Sequence, residues 1–247
     1  MPEEEAYSGP GRRAGDTGRY GRLSRERVLD TALQVVDRDG LSALSMRRVA
    51  AELDVEAMAL YRYANSKDGL LDGLVETLHD EISQLLATDA PDADPARHPS
   101  GPEWRHGIHR TAFATYQVSR THPNAVPLLA TRMLAVPLAR RSPVVLRNHE
   151  RVLALLADAG LSDRDAATAH QAITAWILGY VLTDLEAMVD APDESNPAFR
   201  LGLQHISARE FPRLRAVTPK LAVRGGLPKL TAGLDALLDC FVTRPES

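Results

Sequence analysis

Leu41-Ser42-Ala43-Leu44-Ser45-Met46-Arg47-Arg48-Val49-Ala50-Ala51-Glu52-Leu53-Asp54-Val55-Glu56-Ala57-Met58-Ala59-Leu60-Tyr61-Arg62-Tyr63-Ala64-Asn65-Ser66-Lys67-Asp68-Gly69-Leu70-Leu71 predicts two short helices joined by a tight turn, then the start of a longer helix. Ser45 is a good N-cap, and Val49, Ala50 and Leu53 recur on the inward face of the first helix. Asp54-Val55 makes the turn. The second helix is expected over about Glu56 to Tyr63. This is the pattern of a helix-turn-helix, whose second helix enters the major groove of double-stranded DNA.

Working outward, a preceding helix is expected from about Ser24 to Asp37. Val28, Leu29, Ala32, Leu33 and Val36 share one face, and Gly40 ends it. A fourth helix starts near Lys67, with Leu70, Leu71, Leu74, Val75, Leu78, Ile82 and Leu85 at helical spacing. Thr88 to Pro102 is rich in Asp, Pro and Ala and reads as a loop. Helical periodicity then returns over about 103–120, 124–134, 143–159, 163–190, 207–216 and 228–243, with Gly160 and Pro192 at helix ends. No stretch alternates as a strand does, so the fold class is all-α. Residues 1–22 carry almost no aliphatic side chains and are expected to be a flexible Arg/Gly-rich arm.

The chain has 247 residues, 44% of them hydrophobic and 25% charged, enough for a buried core. The longest apolar run, Ala175 to Leu182, is too short to span a bilayer, and the acidic N-terminus is no signal peptide. A single cysteine, Cys240, excludes an internal disulfide framework. A cytoplasmic protein without a membrane partner is expected. The net charge of −4 is unusual for a DNA binder, but from Gly11 to Lys67 basic residues outnumber acidic ones. Local charge governs contact with phosphate.

The residues that carry a family likeness are Arg25-Glu26-Arg27-Val28-Leu29, Asp39-Gly40-Leu41, Ser45-Met46-Arg47-Arg48-Val49-Ala50, Leu60-Tyr61-Arg62-Tyr63 and Lys67-Asp68-Gly69-Leu70-Leu71. On these the chain resembles the tetracycline-repressor (TetR) family of one-component transcriptional regulators. A Leu-Tyr-x-(Tyr/His) recognition helix followed by Lys is more specific than a bare helix-turn-helix. Asp54 stands where the family usually has Gly; Asp tolerates a left-handed backbone better than most residues.

The resemblance implies a three-helix DNA-binding domain over 23–70 and a larger helical regulatory, ligand-binding and dimerisation domain over 71–247. Ser45 and Arg47 belong to the DNA-facing helix pair, with Arg47 able to reach guanine O6 and N7. Ala57, Met58, Ala59, Tyr61, Arg62 and Tyr63 occupy the recognition helix. Ala57 and Ala59 could touch thymine methyls. Tyr61 and Tyr63 could bond phosphate, one of them being partly core. Lys67 matches the family's phosphate-contacting lysine. Arg12, Arg13, Arg19 and Arg22 are candidates for the adjacent minor groove.

Two apolar stripes close the chain, one of Ile173, Trp176, Ile177, Tyr180, Val181, Leu185 and Met188, the other of Leu230, Leu234, Leu237, Leu238 and Phe241. They are either internal core or, as the resemblance implies, a four-helix bundle with a second subunit. Charging Leu234 or Leu237 would then separate the protomers.

The implied function is a ligand-responsive repressor, a homodimer on a palindromic operator, released by a small organic effector of antibiotic or biosynthetic-intermediate type. The rival is a DNA-organising protein without a ligand, and a partly polar cavity would distinguish them. No cofactor is expected, and no enzyme motif is present: there is no G-x-S-x-G, H-E-x-x-H, P-loop or G-x-G-x-x-G. His106 and His109 lie three apart on a helix, but without a Cys partner a metal site is not expected. Asp184, inside an apolar helix, is a pocket group or a bundle-edge residue. The Leu129-Ala130-Thr131-Arg132 run resembles a motif following the family's metal-binding histidine, yet Leu128 stands at that histidine's place. Ser83 and Thr111 replace polar residues expected to grip tetracycline. Trp104, His109, Phe113, Tyr116, Gln117, His149, Trp176 and Tyr180 are the candidate ligand-binding residues, suited to a flat, partly polar compound.

Overall fold

The computed structural model describes residues 23–88, 101–190, 206–221 and 225–242. All regular structure among the described residues is helical. Three helices make the N-terminal head: α1 (Arg25–Asp39), α2 (Met46–Glu52) and α3 (Ala57–Leu60). Their ends follow from single side chains. The Ser24 hydroxyl accepts from the Arg27 amide and the Ser45 hydroxyl from the Arg48 amide, satisfying donors that have no intrahelical partner. Gly40 ends α1 at φ 81°, where a Cβ would be strained. Asp54 adopts φ 54°, so the turn between α2 and α3 keeps the left-handed geometry despite lacking glycine.

Helix α4 (Lys67–Ala87) starts at Ser66, whose hydroxyl caps the Gly69 amide. It is the spine of the chain. Leu70, Leu74 and Leu78 share one core with Val28, Val36, Val49 and Leu60 of the head, and that core continues into Ala114, Val118, Leu128 and Val145. Gly73 lets α4 approach α1 closely, because a Cβ there would run into the Leu29 side chain. The domain division expected at 70/71 thus falls inside one continuous helix. Leu86, rather than Leu85, completes its buried stripe; Leu85 is exposed.

The body comprises α5 (Glu103–Thr121), α6 (Val126–Ala135), α7 (Pro143–Asp158), α8 (Asp163–Asp190), α9 (Pro212–Leu221) and α10 (Gly226–Val242). Pro143 sits in the first turn of α7, where its missing N–H costs nothing. Helix α9 begins later than the 207–216 expected, with Pro212 at its start. Gly160, at φ 85°, follows α7 as expected, whereas Pro192 and most of the expected 88–102 loop lie outside the described residues.

A second core joins α5, α7, α8 and α10. Of the two readings of the stripes, internal core holds for the following residues. Ile173, Ile177, Val181 and Leu185 of α8 pack within the chain with Leu230, Leu234 and Leu238 of α10, and Leu234 is fully buried. A glutamate at 234 would place an unpaired charge in the protomer's own core, so it would unfold the chain rather than separate subunits. The side chain of Met188 lies outside the described ones.

Polar links tie head to body, and Asn124 donates to the Asp37 carbonyl at 2.9 Å. His122, between α5 and α6, bonds Asp37 of α1 through Nδ1 (2.7 Å) and Glu81 of α4 through Nε2 (3.0 Å). Arg132 of α6 donates to the Asp68 carboxylate and carbonyl, both at 3.2 Å, and to Asp72 of α4.

Candidate DNA-binding surface and ligand cavity

The head presents one exposed face. Arg47 on α2, Met58 on α3, Tyr61 and Arg62 beyond it, and Lys67 at the start of α4 are all exposed. Met58 is 72% exposed and Tyr61 46%. Arg47, Arg62 and Lys67 have no ion pair among the described residues, whereas Arg38 and Arg48 are held by Asp39 and Glu52. The Asp39 carboxyl is lowered from its ordinary value by the Arg38 hydrogen bond first and by charge from Arg38 and Arg48. Ala57 and Ala59 are half-buried.

Tyr63 differs from the phosphate role considered for it. Its ring packs on the core and its hydroxyl donates to the Leu23 carbonyl at 2.8 Å, fixing the chain entering α1. Ser45 spends its hydroxyl as the α2 cap. Arg12, Arg13, Arg19 and Arg22 lie outside the described residues.

Inside the body, α4, α5, α6, α7 and α8 line a partly open cavity of about 70 Å³. Ile82, Ile108, Leu129, Val152, Ile173 and Ile177 make its apolar walls, and Thr111, Thr115 and Thr174 add hydroxyls. Its polar strip is His79, Asn148, His149 and His170. The strip is internally bonded. Arg141 Nη1 lies 3.1 Å from His149 Nε2, His149 Nδ1 lies 3.0 Å from His170 Nε2, and Asn148 Nδ2 lies 3.1 Å from His79 Nδ1. Burial pushes His79 and His149 down to about 4, with neighbouring imidazoles and Arg141 adding to the effect. Burial also lowers His170. No carboxylate lines the cavity. A second, more polar cavity on the far side of His79 is lined by Arg25, Asp72, Glu76, Arg132 and Arg141.

Of the residues expected to line a pocket, His149 does so; the others are placed elsewhere. Tyr116 is buried and donates to Asp184 Oδ2 at 2.8 Å. Burial, then that bond, pushes its hydroxyl up to about 12. The other oxygen of Asp184 accepts the Gly226 amide, so Asp184 anchors the start of α10. Trp176 and Tyr180 donate to the carbonyls of Leu230 and Gly226. His109 is buried against Asp235 at 2.9 Å, Trp104 packs under Arg105, Phe113 is half-buried, and Gln117 is exposed. Leu128 is core, and Thr111 belongs to the cavity wall. Ser83 stands behind that wall, donating to Asn148. His106 and His109 do not converge on a common point with a third ligand; no His, Cys, Asp or Glu group among the described residues is arranged to hold a metal. His79 and His170, the cavity histidines missed from sequence, carried the same signal as His149: each interrupts an apolar helix face three residues before a buried aliphatic, His79 before Ile82, His149 before Val152 and His170 before Ile173.

Comparison with known proteins decides what these two features belong to. The profile described as bacterial regulatory proteins, tetR family, matches residues 28–74, and that of the tetracyclin repressor-like C-terminal domain matches residues 98–239. The chain belongs to the TetR family. An HTH-type transcriptional regulator of Saccharopolyspora erythraea is 31% identical over 199 residues, 80% of this chain and 75% of its own. The tetracycline repressor protein class C of Escherichia coli is 27% identical over 87% of this chain and 92% of its own. The crystal structure of the Streptomyces coelicolor TetR family protein ActR in complex with actinorhodin superposes with a TM-score of 0.69 at 24% identity, covering 90% of this chain and 98% of its own. The protein is therefore a TetR-type transcriptional regulator and not an enzyme. No helix among the described residues is long and apolar enough to cross a membrane.

Proposed function

We propose that this TetR regulator is a homodimeric repressor, working in the cytoplasm, that holds a palindromic operator through its head and leaves it when a small organic molecule enters the cavity. The cavity is the observation that carries the reading. A protein that only organises DNA has no use for an internal space with a polar strip, and one member of the strip, His79, lies on α4, the helix that begins at Lys67. Occupation of the cavity would move α4 against α6, which Arg132 pins to Asp68 and Asp72 beside Lys67. A dimer reads two half-sites one helical turn apart, about 34–36 Å, so a change in head spacing favours the free protein. ActR with actinorhodin is an instance of a protein of this fold taking an organic ligand.

Fluorescence anisotropy of the operator complex tests the reading. A flat, partly polar compound should release the DNA without divalent metal, since Leu128 occupies the place of the metal ligand. Release by tetracycline that requires magnesium would overturn it.

The exposed face makes a separate prediction. Arg47→Ala should cost roughly 1–3 kcal/mol and relax base preference at one position per half-site. Lys67→Ala should weaken all sequences alike and lower the salt slope by about one unit per subunit. Salt titrations on matched and mutated operators separate the two; unchanged affinity in both variants removes the docking.

A further inference from the structure

The hydrogen bonds in the polar strip have fixed directions. Asn148 Nδ2 is held against the His79 carbonyl, which can only accept, so the amide also donates to His79 Nδ1. A neutral His79 then carries its proton on Nε2. Arg141 can only donate, so His149 Nε2 accepts and His149 Nδ1 carries the proton. That proton goes to His170 Nε2, and His170 in turn carries its own on Nδ1. The chain runs one way, from a guanidinium through two imidazoles. It ends on a donor that the positive charge at its origin strengthens.

Two donors are left over. Neither His79 Nε2 nor His170 Nδ1 has a partner among the described residues, and both rings line the cavity. The threonine hydroxyls spend their protons on backbone carbonyls, Thr111 on that of Gly107 and Thr115 on that of Thr111, and offer the cavity only neutral lone pairs. Nothing anionic lines the space.

We propose that this cavity selects a flat apolar molecule bearing sp² oxygen acceptors, a carbonyl or a carboxylate, which the His79 Nε2–H and His170 Nδ1–H bind, and that it discriminates against protonated amines. The inference rests on the effector function proposed for the same cavity. An ammonium would meet two N–H donors and the Arg141 charge with no carboxylate to pair it. An oxygen acceptor meets two donors that have no partner among the described residues.

Isothermal titration of the full-length protein with four probes on one skeleton tests this: 2-acetylnaphthalene, 2-naphthoate, 2-ethylnaphthalene and 2-naphthylmethylamine. The acetyl compound should bind about tenfold or more tighter than the ethyl compound, the equivalent of one hydrogen bond, and the amine most weakly. A further gain for the naphthoate identifies a carboxylate as the preferred acceptor; a loss identifies a neutral carbonyl. His170→Phe should bring the acetyl and ethyl probes together, whereas His170→Asn, which keeps an N–H near the same place, should preserve much of the difference. Equal binding of the acetyl and ethyl probes to the wild type, or tightest binding of the amine, overturns the proposal and leaves the effector cavity standing. Failure of all four to bind at millimolar concentration overturns both.

Discussion

Gly179→Glu should convert the protein to a folded monomer and lower its operator affinity by about two to four powers of ten. The outer face of α8 presents Gln171, Ala175, Gly179 and Thr183, and that of α10 presents Ala232, Ala236 and Cys240, all exposed in the protomer. These are small side chains on helices whose opposite faces are core. A Cβ at Gly179 meets nothing within 4 Å, so a glutamate there strains no contact of its own chain, and replacing a helical glycine favours the helix. In the proposed dimer the same carboxylate would be pressed into the bundle between subunits, at a cost of several kcal/mol. Two heads on one body bind the second half-site at an effective concentration that a monomer lacks, the source of the expected loss. Light scattering and circular dichroism on Gly179→Glu, with operator titration alongside, give the answer. A variant that stays dimeric and binds with wild-type affinity would move the interface off this face.

The experiment also marks where sequence reading stops. Helix starts were legible because each depends on one local side chain: Ser45 caps α2 as expected, and the starts expected near Ser24 and Lys67 are fixed by the Ser24 and Ser66 caps. The left-handed Asp54 was legible for the same reason. The apolar stripes of α8 and α10 were legible as stripes, but periodicity does not say which surface covers them. Ile173 and Leu234 belong to one core within the chain, and the faces that remain open carry mainly small residues, Ala175, Gly179, Ala232 and Ala236 among them, which hydrophobic patterning overlooks.

The cavity was read least well, for a physical reason. Large rings fill space, so Tyr116, Trp176 and Tyr180 mark solid packing around Asp184 and the first turn of α10. A cavity survives where side chains are small or their polar atoms are paired with one another. Its walls are therefore Ile, Val, Thr and three histidines from α4, α7 and α8, residues distant in sequence that only the tertiary fold brings together.

Those histidines should make the protein lose stability between about pH 6.5 and pH 4. His79 and His149 are depressed to about 4 in the folded protein and regain about 6.5 when unfolded. Within that window the unfolded chain binds protons that the folded chain refuses, so stability falls as pH falls, and it levels off once the folded rings protonate as well. Above the window both states are neutral and the groups contribute no slope. A shift of this size is worth roughly 3 kcal/mol for one ring. The two rings adjoin each other, with centroids 6.3 Å apart, and both are half-buried, so a combined loss of about 3 kcal/mol is expected rather than twice that. In a chain of this length that lowers Tm by roughly 6–12 °C. Carboxylates elsewhere also titrate in acid, and subunit association makes Tm depend on concentration. The discriminating comparison is therefore wild type against His79→Gln/His149→Gln, melted at pH 7, 6, 5 and 4.5 at one protein concentration. The variant keeps amide groups in the strip and leaves only His170 to protonate there, so its Tm should fall less steeply over this range. Parallel curves would mean that the imidazoles titrate alike in both states, and that the strip is open to water rather than enclosed.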